Sequence, residues 1–99
     1  MASNSAVSLI SATLSTTTVD TCTLTGSVQA VRVWNLTGTA ALYVTLAPGS
    51  GGTPTAPTAG GDGCLVIPAG LWRVIPVVSP TGAVVKLIGN GNAYVVEAA

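Results

Sequence analysis

Histidine and phenylalanine are absent from this 99-residue chain, and charge is nearly so: three basic and three acidic side chains, 6% of residues, balance to zero. About 25% is ordinary for a globular protein. Without histidine the commonest general base and metal ligand is missing. The carboxylates Asp20, Asp62 and Glu97 are too few for a calcium cage, and their spacing does not suggest a glycosidase pair. Lys86 is the one side-chain amine able to activate a Ser or Thr. An enzyme would need a converging pair among Asp20, Asp62, Glu97 and Lys86, so the sequence reads as non-enzymatic, with no metal and no cofactor. There is no basic run, which argues against binding nucleic acid or an anionic membrane. No apolar stretch reaches the roughly 18–20 residues of a membrane-spanning helix. No positive segment precedes an apolar one at the N-terminus, so synthesis in the cytosol is expected. Cys22 and Cys64 lack metal-ligand spacing and read as free thiols in a reducing compartment, the alternative being a disulfide, which needs their Cα atoms within about 7 Å. Good helix formers are scarce too, with one Lys, one Glu, one Gln and one Met.

What is present favours strands. Val, Thr and Ile number 32 of the 99 residues, and β-branched side chains suit a pleated surface. Val19–Thr25 alternates with period two. So does Val28–Leu36, with Val31 and Val33 on one face and Arg32 and Trp34 on the other. Leu42–Leu46 follows the turn Thr37-Gly38-Thr39, and these two strands read as a hairpin. Cys64–Ile67 reads as a buried strand. Pro76 within Trp72–Val78 predicts an edge strand or a bulge. Asn90-Gly91 predicts a two-residue hairpin between Val84–Ile88 and Ala93–Glu97. The expected fold is all-β: a small antiparallel sandwich or barrel of about seven to eight strands. Residues 1–18 form an N-terminal arm with a weak first strand, and 19–99 a single β-domain.

One long loop interrupts it. Residues 47–63, rich in Gly, Pro and Thr, contain no Val, Ile, Leu or aromatic residue. With nothing to bury, the loop is expected outside the core. The sequon Asn35-Leu36-Thr37 has no secretion signal beside it and reads as a decoy.

The tryptophans carry two readings. Trp34 shares a strand face with Arg32, and Trp72 adjoins Arg73. Either the rings fill a core that has no Phe, or Arg32, Trp34, Trp72 and Arg73 are partner contacts, since Trp and Arg are enriched at binding hot spots. So few charges on so apolar a chain predict self-association, hence a homo-oligomer within a larger assembly.

From about Val31 to Glu97 the chain resembles small β-sandwich proteins of tailed double-stranded DNA bacteriophages, particularly those infecting actinobacteria. The likeness lies in Val31-Arg32-Val33-Trp34-Asn35, Ala41-Leu42-Tyr43-Val44-Thr45, the run from Gly61 to Gly70, Val84-Val85-Lys86-Leu87-Ile88 and Ala93-Tyr94-Val95-Val96-Glu97. It implies a virion structural protein, made in the host cytoplasm, that decorates and stabilises the capsid exterior. The major capsid protein would be its partner, and the resemblance supplies no catalytic residue. The alternative is a carbohydrate- or receptor-binding module on a tail or fibre, with Trp and Tyr as stacking platforms; that reading asks for two exposed, coplanar rings.

Overall fold

The computed structural model describes residues 3–15, 18–58, 61 and 63–99. Within them the chain forms nine strands and no helix: β1 (Ser3–Ala6), β2 (Leu9–Thr13), β3 (Asp20–Leu24), β4 (Val28–Asn35), β5 (Leu42–Pro48), β6 (Leu65–Ile67), β7 (Trp72–Ser79), β8 (Ala83–Ile88) and β9 (Ala93–Ala98). They stack as a sandwich of a five-stranded sheet, β1-β3-β8-β5-β6, on a four-stranded one, β2-β9-β4-β7. The all-β class expected from the sequence is the class observed. Two details differ: there are nine strands, and β1 runs parallel to β3.

Period-two alternation builds the core. Val31 and Val33 of β4, Leu42 and Val44 of β5, and Val85 and Leu87 of β8 are all fully buried between the sheets. With no Phe, Tyr94 is the aromatic at the centre, at 0% exposure. A buried phenol needs a partner. Its hydroxyl donates to Asp20 Oδ2 at 2.8 Å, accepts from Asn4 Nδ2 at 3.5 Å and meets Cys22 Sγ at 3.3 Å. Burial, then the bonds to Cys22 and Asp20, push the Tyr94 hydroxyl far above its usual pKa. Burial likewise raises that of the Cys22 thiol. Both groups therefore stay neutral, and both cysteines are free.

Several connections depart from the sequence expectation. The stretch read as an arm supplies β1 and β2, one to each sheet, and sends Ile10 and Leu14 into the core; Met1, Ala2, Thr16 and Thr17 lie outside the described residues. The β4–β5 and β8–β9 pairs are not hairpins, because each pair is split between the two sheets. Gly91 does adopt the left-handed φ of 71° that such a turn requires. A tight turn reverses the chain without choosing the plane of the next strand. Here Asn92, fully buried, donates to Asn35 Oδ1 and to the Ala40 carbonyl, both at 3.0 Å, which draws the chain across the core. Asn35, 1% exposed, donates in turn to the carbonyls of Ala40, Ile67 and Pro68. That burial closes the sequon to a glycan.

β6 is an edge strand with Val66 exposed, not a buried one. β7 is also an edge, and its pairing with β4 slips between Val28 and Ala30, next to Pro76, as that proline predicts. The long loop does not stand free. β5 extends through Pro48, and beyond it Pro54 and Pro57 are buried. The Thr45 hydroxyl donates to the Thr55 carbonyl, tying the loop across the outer face of the five-stranded sheet. Pyrrolidine rings supply the apolar surface that a count of Val, Ile and Leu overlooks. Ala59, Gly60 and Asp62 of the loop lie outside the described residues.

Candidate functional site

Because Val31 and Val33 face the core, Arg32 and Trp34 face out from the four-stranded sheet. Register fixes their neighbours. Trp34 stands opposite Trp72 on β7 and Val95 on β9, while Arg32 stands opposite Val74 and Glu97. The two indole rings lie 5.6 Å apart, tilted by 43°, within the usual range of aromatic pairs. Trp72 is 51% exposed and Trp34 half-buried, so neither fills the core. The Arg32 guanidinium carbon lies 5.9 Å from the Trp34 ring centre and 5.3 Å from that of Trp72, close enough for cation–π attraction to both.

Glu97 ties this group together. Its Oε1 accepts from the Trp34 indole N–H at 2.8 Å and from Arg32 Nη1 at 3.1 Å. One ion pair and ring stacking hold the guanidinium; its buried Nε has no hydrogen-bond partner among the described residues. The result is a continuous aromatic shelf with its charges internally neutralised. Exposed Val74 and Leu9 border it, with Leu9 opposite Glu97 on β2.

Hydrogen bonding from the Trp34 indole holds the Glu97 carboxyl below its ordinary value of 4.5; partial burial opposes this, and Arg32 adds a hydrogen bond and its charge. A carboxyl whose folded pKa is depressed contributes stability above its unfolded pKa and loses it as pH falls through the folded value. Acid titration of tryptophan emission should therefore show a transition centred below pH 4.5 that Glu97→Gln removes. A midpoint at or above that value contradicts the coupling.

Of the four proposed contact residues, Arg32, Trp34 and Trp72 come together. Arg73 does not: it stands opposite buried Val33, on the reverse side of β7, and is exposed at the sheet margin. Neighbours in a strand point to opposite faces. The sequence points to Glu97 only as a carboxylate an enzyme would need; its place in this group rests on Arg32, 65 positions away.

The groups that an enzyme would need are dispersed. Asp20 is buried between the sheets, Glu97 lies on the outer face of the four-stranded sheet, and Lys86, between core residues Val85 and Leu87, faces out from the five-stranded one. Asp62 lies outside the described residues. Among the described residues no three of His, Cys, Asp and Glu gather as a metal-binding set.

No protein-family model matches this sequence, and no curated protein matches it. Solved structures do match. CBM_E1, a carbohydrate-binding module from a sugar cane soil metagenome solved with cellopentaose and gadolinium, superposes with a TM-score of 0.60 at 9% identity, covering 97% of this chain and 90% of that one. Looser matches are the Anabaena sensory rhodopsin transducer (TM-score 0.45, 16% identity, 87% and 84% coverage) and the pre-peptidase C-terminal domain of a Bacillus anthracis collagenase (0.44, 14%, 98% and 93%). At such identity the likeness to CBM_E1 is one of fold alone.

Proposed function

We propose that this protein is a non-catalytic binding module whose ligand is a neutral glycan laid on the Trp34–Trp72 shelf. The observation that carries the reading is the shelf itself. Two tryptophans, among the few aromatics of the chain, lie at the surface instead of being buried: Trp34 is held by its indole hydrogen bond to the ion-paired Glu97, and Trp72 by its ring contacts with Trp34 and Arg32. A hydrated surface gains little from exposing so large an apolar ring unless a partner covers it. Sugar rings offer an apolar C–H face to an indole. Because Arg32 and Glu97 neutralise one another, the shelf favours uncharged sugars over acidic ones. The rings are tilted by 43° and are not the coplanar pair expected from the sequence, so the two indole faces meet a bound glycan at different angles. The shared fold with CBM_E1 supports the same reading.

Titration calorimetry against neutral oligosaccharides, beginning with cellopentaose, tests it. Trp72→Ala should weaken binding by about 30-fold or more, the factor expected of a hot-spot side chain, while leaving the fold intact because the ring is half exposed. Failure of the wild-type protein to bind any neutral oligosaccharide, or binding indifferent to Trp72, contradicts the proposal.

A second reading, the capsid-decorating subunit implied by the phage resemblance, draws support from the exposed apolar side chains Leu9, Val74 and Val78 on the four-stranded sheet, which are 52, 37 and 80% exposed. Such a patch suits a protein partner. If the protein is carried on a virion, copy number by gel densitometry divides the readings. Hundreds of copies per particle favour decoration of the capsid, and a handful favours a glycan-binding module on a tail or fibre.

A further inference from the structure

The opposite side of the sandwich has its own concavity. At one end of the five-stranded sheet, where β5 and β8 pair Tyr43 with Ile88, an open pocket of about 430 Å³ lies between those side chains, Pro57 and Thr58 of the long loop, and Asn90 beyond β8. Its volume is within the range of small-ligand pockets, roughly 300–1,000 Å³. The loop makes the pocket: Pro57 is buried, and the Thr45–Thr55 hydrogen bond holds that limb against the sheet. Among the described residues none that lines it is charged. The side chains of Tyr43, Thr58 and Asn90 form no hydrogen bond to other described residues, so a hydroxyl, a phenol and an amide remain available around an apolar floor.

We propose that this pocket is a second ligand site, taking a single neutral, hydroxylated sugar ring that packs on Tyr43 and Ile88 and hydrogen-bonds to Thr58 and Asn90. Apolar walls with a few convergent polar groups are the common form of such sites. An acidic sugar would bring in a charge that none of the described lining residues can pair. The choice of ligand class rests on the glycan reading; the location does not. The outer faces of the two sheets point away from each other, so one domain would hold two glycan chains, and bridging gains strength through avidity.

Amide-resolved NMR titration of the full chain with methyl β-glucoside, with glucuronate as the charged comparator, tests the site. Saturable shifts are expected at Thr58, Gly89 and Asn90 with the neutral probe, and weaker ones with glucuronate. Tyr43→Ala should weaken the pocket response about threefold to tenfold, the range for loss of one stacking ring, and Trp72→Ala should leave it unchanged. Thr58→Val and Asn90→Ala, both on the surface, give the same reading if Tyr43→Ala perturbs folding. Shelf binding to cellopentaose without any pocket shift overturns the second site and spares the shelf. Pocket shifts that persist undiminished in Tyr43→Ala, Thr58→Val and Asn90→Ala also overturn it. Silence of both sites to every neutral sugar overturns both proposals.

Discussion

Asn35→Leu is expected to lower the melting temperature by roughly 15–25 °C, from the polar losses and the midpoint scaling of a small domain. Leucine matches asparagine in the number and branching of its side-chain heavy atoms and is bulkier, so no cavity opens and the loss is polar. The Asn35 amide donates to the Ala40 carbonyl at 2.8 Å and to that of Ile67 at 3.1 Å, and its oxygen accepts from Asn92 at 3.0 Å. These bonds fasten the end of β4 to β6, to the 36–41 connection and to the turn before β9. Leucine takes the Asn35 donor from the Ile67 carbonyl and leaves one Asn92 N–H without its acceptor, the other still held by Ala40, at about 1–3 kcal/mol for each group and so about 3–5 kcal/mol in all. In a domain of 99 residues each kcal/mol shifts the midpoint by about 5 °C. Thermal unfolding followed by circular dichroism measures it. A shift of only a few degrees would mean that the network is not a fastening point.

Gly82→Ala is the second large effect. Gly82 ends the turn between β7 and β8 with φ at +96°, and a Cβ placed on it would lie 1.8 Å from the Leu24 carbonyl oxygen. The obstacle is backbone that begins the β3–β8 ladder, since Leu24 pairs with Ala83, so no rotamer change relieves it. Strained φ alone costs about 1–3 kcal/mol; with the clash, more than about 4 kcal/mol is expected, a loss large enough to be exceptional for one substitution. Gly91 supplies the control. Its φ is +71°, but no atom stands within 4 Å of the position an alanine methyl would take, so Gly91→Ala should cost only about 1–2 kcal/mol. Comparable losses in denaturant melts of the two variants would contradict the steric account.

Strand identity and facing were legible in the residues. Val31 and Val33 against Arg32 and Trp34 is a parity argument, and parity survives folding because a strand has period two. Pro76 marked an edge for an equally local reason, its missing N–H. Partnership was not legible. The turns before β5 and β9 carry hairpin chemistry, yet both cross between sheets, because the polar network of Asn35 and Asn92 sets the direction of the next strand and its members lie 57 positions apart. The loop misled through its composition: prolines pack as well as they bend, and Pro54 and Pro57 cover the sheet. The candidate site followed the same division. Residue type singles out Arg32, Trp34 and Trp72, and the β4–β7 register brings them together, whereas Arg73 falls away on parity and Glu97 enters through a β4–β9 pairing that no local pattern announces.

Because the chain contains two tryptophans and both sit in the shelf, tryptophan emission of the unlabelled protein, excited where its two tyrosines do not absorb, reports on the proposed binding surface alone. Titrating in cellopentaose and related neutral oligosaccharides should give a saturable change in tryptophan emission, with the same midpoint as calorimetry. Heat of binding without any change in emission would place the ligand elsewhere on the molecule and remove the shelf as its seat.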